Sequence, residues 1–316
     1  MLPLFAVSLA AQATPAAPQG ALTPNPQSPI PVSYTPHRVY DTHHKRFTDF
    51  ESLLADVSSA GIVFVGEEHD DPATHRMELA LLEGIGRRRD SVVLALEMFE
   101  RDVQPALDRY LAGQTSEDDL LKESRPWKNY AADYRPLVEY ARSRGWPVVA
   151  SNVPRRLASL VARNGLGGLD TLSAGSRPDA ASDMSCPEDR YYDRFARAMG
   201  DMAGHGPEPV DTASPGTRML RMYQAQCLRD ETMGESVARV WRQGRLVVHY
   251  NGSFHSDFRM GTAARAGRRT DGARLVVVTA VPVSDLDHLK PSKEDRKRAD
   301  YLLYVQGPVK PDSTRR

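Results

Sequence analysis

Six short apolar runs, interleaved with segments of helical spacing, restrict this chain more than any other feature. They are Ile62–Val65 (IVFV), Ser91–Met98 (SVVLALEM), Pro147–Ser151, Arg245–Tyr250 (RLVVHY), Arg274–Ala280 (RLVVVTA) and Tyr301–Val305 (YLLYV). Most lack the in–out alternation of a strand with one wet face, so they read as strands buried on both sides. Between them the spacing predicts helices over 48–60, 72–88, 103–112 and 134–145, and another from Pro154 onward. Pro72 suits a first helical turn and Gly145 a helix end. The fold class that follows is α/β: a mostly parallel sheet with helices on both faces. From about Gly165 to Gln243 the alternation breaks into helices at 187–202 and 217–241 joined by Gly-, Ser- and Pro-rich loops. That block, 165–243, is expected to be a smaller helical subdomain inserted into the sheet domain.

The segments outside this pattern differ in character. Residues 1–13 are an apolar, Ala-rich leader with A-x-A-like cleavage points after Ala11 or Ala13. Residues 14–39, rich in Pro and Ala, are expected to be a linker, the α/β domain to occupy 40–306 and a tail 307–316. An exported, periplasmic or cell-envelope protein is therefore expected, and no Cys stands near the cleavage points to support a lipid anchor. No apolar run reaches the roughly 18–20 residues of a membrane-crossing helix. Lys plus Arg and Asp plus Glu number 41 each, so the chain lacks the positive charge with which proteins neutralise nucleic-acid phosphates. Nucleic acid is not an expected partner. The two cysteines, Cys186 and Cys227, are open to either reading, a disulfide or two thiols.

In an open parallel sheet the ligand crevice lies beyond the carboxyl ends of the strands. That rule selects Gly66-Glu67-Glu68-His69-Asp70, Glu97, Asn152 to Arg156, and Asn251-Gly252-Ser253-Phe254-His255. Two of these segments carry a G-x-x-H spacing, where chance placement of 22 Gly and 9 His would give roughly 0.6. A Gly at that point would let the backbone turn sharply and bring the His back over the sheet edge. His69, Glu97 and His255 could then hold a divalent metal ion, with Glu68 as base. They could equally act without metal, or donate ring N–H groups to a carboxylate. Plainer roles stay open: Glu97 could simply pair with Arg101, and His75 could be a solvated helix residue. Tyr130 and Tyr134 follow a loop-like segment, where a phenolate could ligate haem iron or a ring could merely pack. No G-x-S-x-G, P-loop, G-x-G-x-x-G after the first strand, or C-x-x-C is present, which disfavours serine hydrolases, NTPases and nicotinamide enzymes.

Six segments resemble the ChaN-like haem-binding uptake proteins: GEEHD…H (66–75), LEMFERDVQP (96–105), YRPLVEYAR (134–142), NVPRR (152–156), QCLRDETM (226–233) and NGSFHSDFRMG (251–261). The resemblance spans about Phe47 to Val281. It implies a parallel sheet with a smaller helical part, an envelope location and haem held by tyrosine, with a homodimer helping to form the site. On that reading Tyr134 or Tyr130 ligates the iron, Arg155, His255 or His75 meets the propionates, and an outer-membrane haem receptor is a possible partner. The wider superfamily includes Tiki-type metal-dependent proteases and erythromycin-esterase-like enzymes. Their likeness would instead give His69, Glu97 and His255 catalytic roles in a metal-dependent peptidase or esterase.

Overall fold

The protein is described from a computed structural model covering residues 34–175, 177–202 and 214–307; the leader, most of the linker and the tail beyond Gly307 lie outside them. Its compact unit begins at Thr35. In chain order it comprises β1 (His37–Asp41), β2 (Arg46–Thr48), α1 (Phe50–Ser58), β3 (Ile62–Glu67), α2 (Pro72–Gly86) and β4 (Val92–Glu100). Then come α3 (Gln104–Leu111), α4 (Glu117–Ser124), α5 (Arg135–Ser143), β5 (Val148–Asn152), α6 (Arg155–Asn164), α7 (Arg190–Met202) and α8 (Pro215–Val240). Finally β6 (Leu246–Gly252), α9 (Gly261–Gly267), β7 (Leu275–Val283) and β8 (Tyr301–Gln306) complete the sheet.

The eight strands form one sheet in the order β2-β1-β8-β7-β3-β6-β4-β5. From β8 to β5 every pairing is parallel; β1 alone runs the other way, antiparallel to β8 and to the edge strand β2. All six apolar runs became parallel strands, and their side chains alternate between two cores. Val63, Val65, Leu94, Leu96, Val248 and Val276 pack with α1, α2 and α5. Ile62, Phe64, Val93, Ala95, Val247 and Val277 face the opposite core, which Val237 of α8 and Ala263 of α9 join. Local caps start the helices: Asp49 accepts from the Ser52 amide at 2.7 Å ahead of α1, and Asp71 does the same for α2 through Thr74.

Two boundaries differ from the sequence reading. The last residues of the expected 14–39 linker belong to the sheet, because His37–Tyr40 lie in β1 and pair with β8 (Val39 opposite Leu303). A five-residue strand with a charged tip, one place in from the sheet edge, carries too weak an apolar pattern to stand out. The 165–243 block is helical as expected, but its closing helix lies on the sheet. Ser236 of α8 donates to the Ser151 carbonyl of β5 at 2.9 Å, and residues Asp230 to Val237 are buried there. The remainder, with α7, forms a satellite core of Tyr191, Phe195, Tyr223 and Cys227. Cys186 and Cys227 are free thiols.

Arg101, just past β4, clamps the sheet to α8. Its guanidinium donates to the Thr232 carbonyl at 2.7 Å and to Glu235 at 3.0 Å, and pairs with Glu235 rather than with Glu97. Arg101→Ala is expected to destabilise the fold by about 1.5–3 kcal/mol, since it removes the charge-assisted hydrogen bonds that join β4 to Glu235 and Thr232, although Arg239 and Ser182 still partner Glu235 and Ser236 still partners the carbonyl. Arg101→Lys should recover only part of that, because a single ammonium cannot reproduce the planar fork. Urea unfolding of the three proteins measures both effects.

Candidate functional site

The chain runs from β3 to β4 leaving a gap that β6 later fills, so the carboxyl ends of β3, β6 and β4 lie side by side. This is where the chemistry-bearing residues gather, as open parallel sheets require. The two G-x-x-H segments close on each other there. A Cβ on Gly252 would stand 2.6 Å from Nε2 of His69, and one on Gly66 would stand 3.0 Å from the Ser253 backbone. Neither Gly has a positive φ. The expected reason for these glycines, a sharp turn, is therefore corrected: each is needed because the other motif lies against it.

Glu97, buried on β4, accepts the Gly252 amide at 2.8 Å and lies 3.3 Å from Nε2 of His255. The other nitrogen of His255 donates to Asp230 of α8 at 2.7 Å. Tyr191 and Thr262 also donate to Asp230, at 2.7 and 2.9 Å. Burial works against charge on His255, but Glu97 and Asp230 override it and raise its pKa to about 10. Burial likewise favours neutral Glu97, and the His255 imidazolium overrides it, holding Glu97 far below the usual carboxylate range. Beside them, fully buried His249 is pulled down to about 4 by desolvation and is neutral, bonded to Ser151 and Asn251.

His69 is the accessible imidazole, with 41% of its side chain exposed. Its Nδ1 donates to Glu67 at 2.6 Å, and its ring stands edge-on to Trp127 at 4.9 Å. Burial lowers its basicity, while the Glu67 bond and the Glu97 charge prevail and raise it. The same Glu67 oxygen accepts from Tyr134 at 2.7 Å. Behind Glu67 lie His75 and Glu78 of α2, 2.9 Å apart. Desolvation and the Glu67 charge push Glu78 well above the usual carboxylate range.

Several expected roles need correction. Glu68 is exposed, and its carboxylate accepts a long bond from Ser253 at 3.5 Å; the carboxylate that supports His69 is its neighbour Glu67. Tyr134 is 0% and Tyr130 3% exposed, so neither phenol reaches a surface where an iron could bind. Burial drives both phenol pKa values up, further from phenolate. His75 is buried in the Glu78 cluster, out of reach of a propionate. Arg155 is exposed and lines a separate cavity of about 930 Å³ with Arg125, Arg156, Lys128 and Trp127. His69, Glu97 and His255 do converge, but not as a metal set. Among the described residues only Glu67, His75 and Glu78 bring three ligand atoms within 4.8 Å of one another, and both nitrogens of His255 already face carboxylates. Asp230 and Glu78 escaped the sequence reading. Both sit within helices, where a buried acid shows only as a polar residue on an otherwise apolar face.

Above His69 and His255 opens a cavity of about 310 Å³, walled by Phe195, Ala198 and Met199 of α7 and by Phe254, with Gln226 at its side. It combines an apolar wall with an imidazole-and-carboxylate floor. The molecule is thus an α/β protein with a small pocket at the carboxyl edge of a parallel sheet. Its sequence matches the family "Haem-binding uptake, Tiki superfamily, ChaN" over residues 53–266, and the chain belongs to that family. It is similar in fold to ChaN of Campylobacter jejuni, a structure described as cofacial heme binding. The TM-score is 0.62 at 14% identity, covering 86% of this chain and 97% of that one. It is also 24% identical, over 81% of its length, to Protein RETICULATA-RELATED 5, chloroplastic, of Arabidopsis thaliana, and the matched region is 35% of that protein.

Two outcomes follow from this geometry. Gly252→Ala should displace His69, because the contact is with the ring itself, and NMR of the His69 imidazole would show its Glu67 bond lost or shifted. His255→Ala should cost about 3–5 kcal/mol by leaving two buried carboxylates unpaired. Because folding raises the His255 pKa from 6.5 to about 10, its contribution is complete below pH 6.5 and is lost as pH rises through 10. The stability gap between wild type and His255→Ala, measured by urea unfolding, should therefore narrow from pH 7 to pH 10.

Proposed function

We propose that this chain binds haem over the His69 pocket, as a haem-handling protein of the cell envelope. Family membership supports haem, and the observation that carries the site is His69 itself. It is a half-exposed imidazole whose Nδ1 is engaged by Glu67, while its Nε2 edge lies over Gly252 in the pocket beside the apolar wall. A carboxylate behind a histidine is how proteins orient such a ligand and strengthen it toward a metal. Exposed Arg190 and Arg197 on α7 flank the next cavity along that helix and suit propionates. A volume of about 310 Å³ lies at the low end for ligand pockets, roughly 300–1,000 Å³. Haem would be only partly covered, and a second copy of the chain would shield the remaining face. Export through the 1–13 leader and delivery from an outer-membrane receptor complete the proposal.

The test is a titration of the full chain with ferric haemin, following the visible spectrum and the oligomeric mass together. Saturation at one haem per chain with a doubled mass is expected, with at least ten-fold weaker binding in His69→Ala. Unsaturable binding would overturn the reading. Loss of binding in Tyr192→Phe but not His69→Ala would move the ligand to that half-buried tyrosine of α7.

A second reading, hydrolysis of an ester or peptide, is favoured by the pairing of His69 with Glu67 opposite a protonated His255. The pairing is that of an oriented general base, with the His255 charge near enough to favour negative charge developing in the pocket. Turnover of a peptide and ester panel, abolished by His69→Ala, would select it.

A further inference from the structure

Behind the pocket, the cluster of Glu67, His75 and Glu78 is short of hydrogens. Nε2 of His75 lies 3.0 Å from the His69 carbonyl oxygen. A carbonyl only accepts, so Nε2 carries a proton, and in the tautomer this fixes Nδ1 turns its lone pair into the cluster. That lone pair faces Glu78 Oε2 at 2.9 Å and Glu67 Oε2 at 3.6 Å. Glu67 Oε2 and Glu78 Oε1 are buried without any hydrogen-bond partner, and both residues are 1% exposed. The nearby donors are spent elsewhere, since His69 and Tyr134 both donate to Glu67 Oε1. Acceptors from three side chains thus converge on one buried point, where only an added proton, on Glu78 or on His75 Nδ1, or a bound cation can serve them.

We propose that a divalent transition-metal ion occupies this point, held by Glu67 Oε2, His75 Nδ1 and the Glu78 carboxylate. Metal-bound histidines characteristically hand their other N–H to a backbone carbonyl, as His75 does. A four-coordinate ion with bonds of about 2.0–2.2 Å holds neighbouring donors about 3.4 Å apart; the 2.9 and 3.6 Å separations bracket that value. One imidazole and two carboxylates suit zinc, iron or manganese better than calcium or magnesium, which take oxygen alone. The ion would tie α2 to the end of β3 and fix Glu67, and through it the ring of His69. This site does not depend on the haem reading, and no haem is needed to test it.

Full-length protein purified without chelator should carry about one equivalent of zinc, iron or manganese by elemental analysis. Glu78→Gln should lower that content at least ten-fold, and EDTA should lower the Tm of wild type but not of Glu78→Gln. Should Glu78→Gln fail to fold, cobalt(II) added to chelator-treated wild type decides the matter through the d–d absorption of a nitrogen–oxygen site. Metal-free protein whose Tm is unmoved by EDTA, zinc, iron(II) or manganese(II), and which gives no cobalt spectrum, would overturn the proposal and leave a shared proton at this point. Full metal content retained in a folded Glu78→Gln would overturn it equally.

Discussion

The negative charge on buried Glu97 organises the carboxyl edge of this sheet. It is held on one side by the Gly252 amide of β6 and on the other by the His255 imidazolium, whose far nitrogen reaches Asp230 on α8. One carboxylate therefore links β4, β6, the loop after β6 and the long helix that covers the sheet. The arrangement persists because each carboxylate is partnered: one imidazolium stands between the two acids, the Gly252 amide serves Glu97, and Tyr191 and Thr262 complete Asp230. A buried ion set of this kind costs much desolvation and tolerates no missing member.

The adjoining cluster obeys the opposite rule. Around Glu97 donors and acceptors balance, whereas around Glu78 the acceptors exceed the donors. Glu67 stands between the two regimes, accepting from His69 and Tyr134 on one oxygen and turning the other, unpartnered, toward His75. His69 is the residue through which this interior reaches solvent, and its ring orientation depends on Glu67 behind it and on the bare backbone of Gly252 beneath it. The pocket's chemistry is thus set by how Glu67 and Gly252 hold the ring of His69.

Topology explains why these groups meet. Segments separated by more than 180 positions, at Gly66 and Gly252, become neighbours because β6 enters the gap between β3 and β4. Membership of the ChaN family agrees with this architecture, and the fold likeness to the Campylobacter protein extends over nearly its whole length. Within that frame α7 supplies the apolar wall and α8 the buried acid, so the helical block is part of the site as well as a cover for the sheet.

The sequence by itself determined the layers of this protein. Runs such as IVFV and RLVVHY can be satisfied only by burial on both faces, and the G-x-x-H pair and Glu97 follow those runs at the edge where ligands collect. Residue type and chain position carried that much because strand burial and the strand-end rule are local. Which carboxylate serves which histidine was decided by the tertiary structure alone. Glu67 and Glu68 are adjacent and chemically alike, yet one ends buried against His69 and the other exposed, a difference that strand alternation and the approach of Ser253 impose. Tyr134 read as a loop residue open to iron became a buried donor to Glu67, because a turn of π-helix folds it under the sheet edge. Asp230 and His255 lie 25 positions apart, and their pairing exists only because α8 crosses the strands it covers: long-range packing chose the partners that short-range pattern could only nominate.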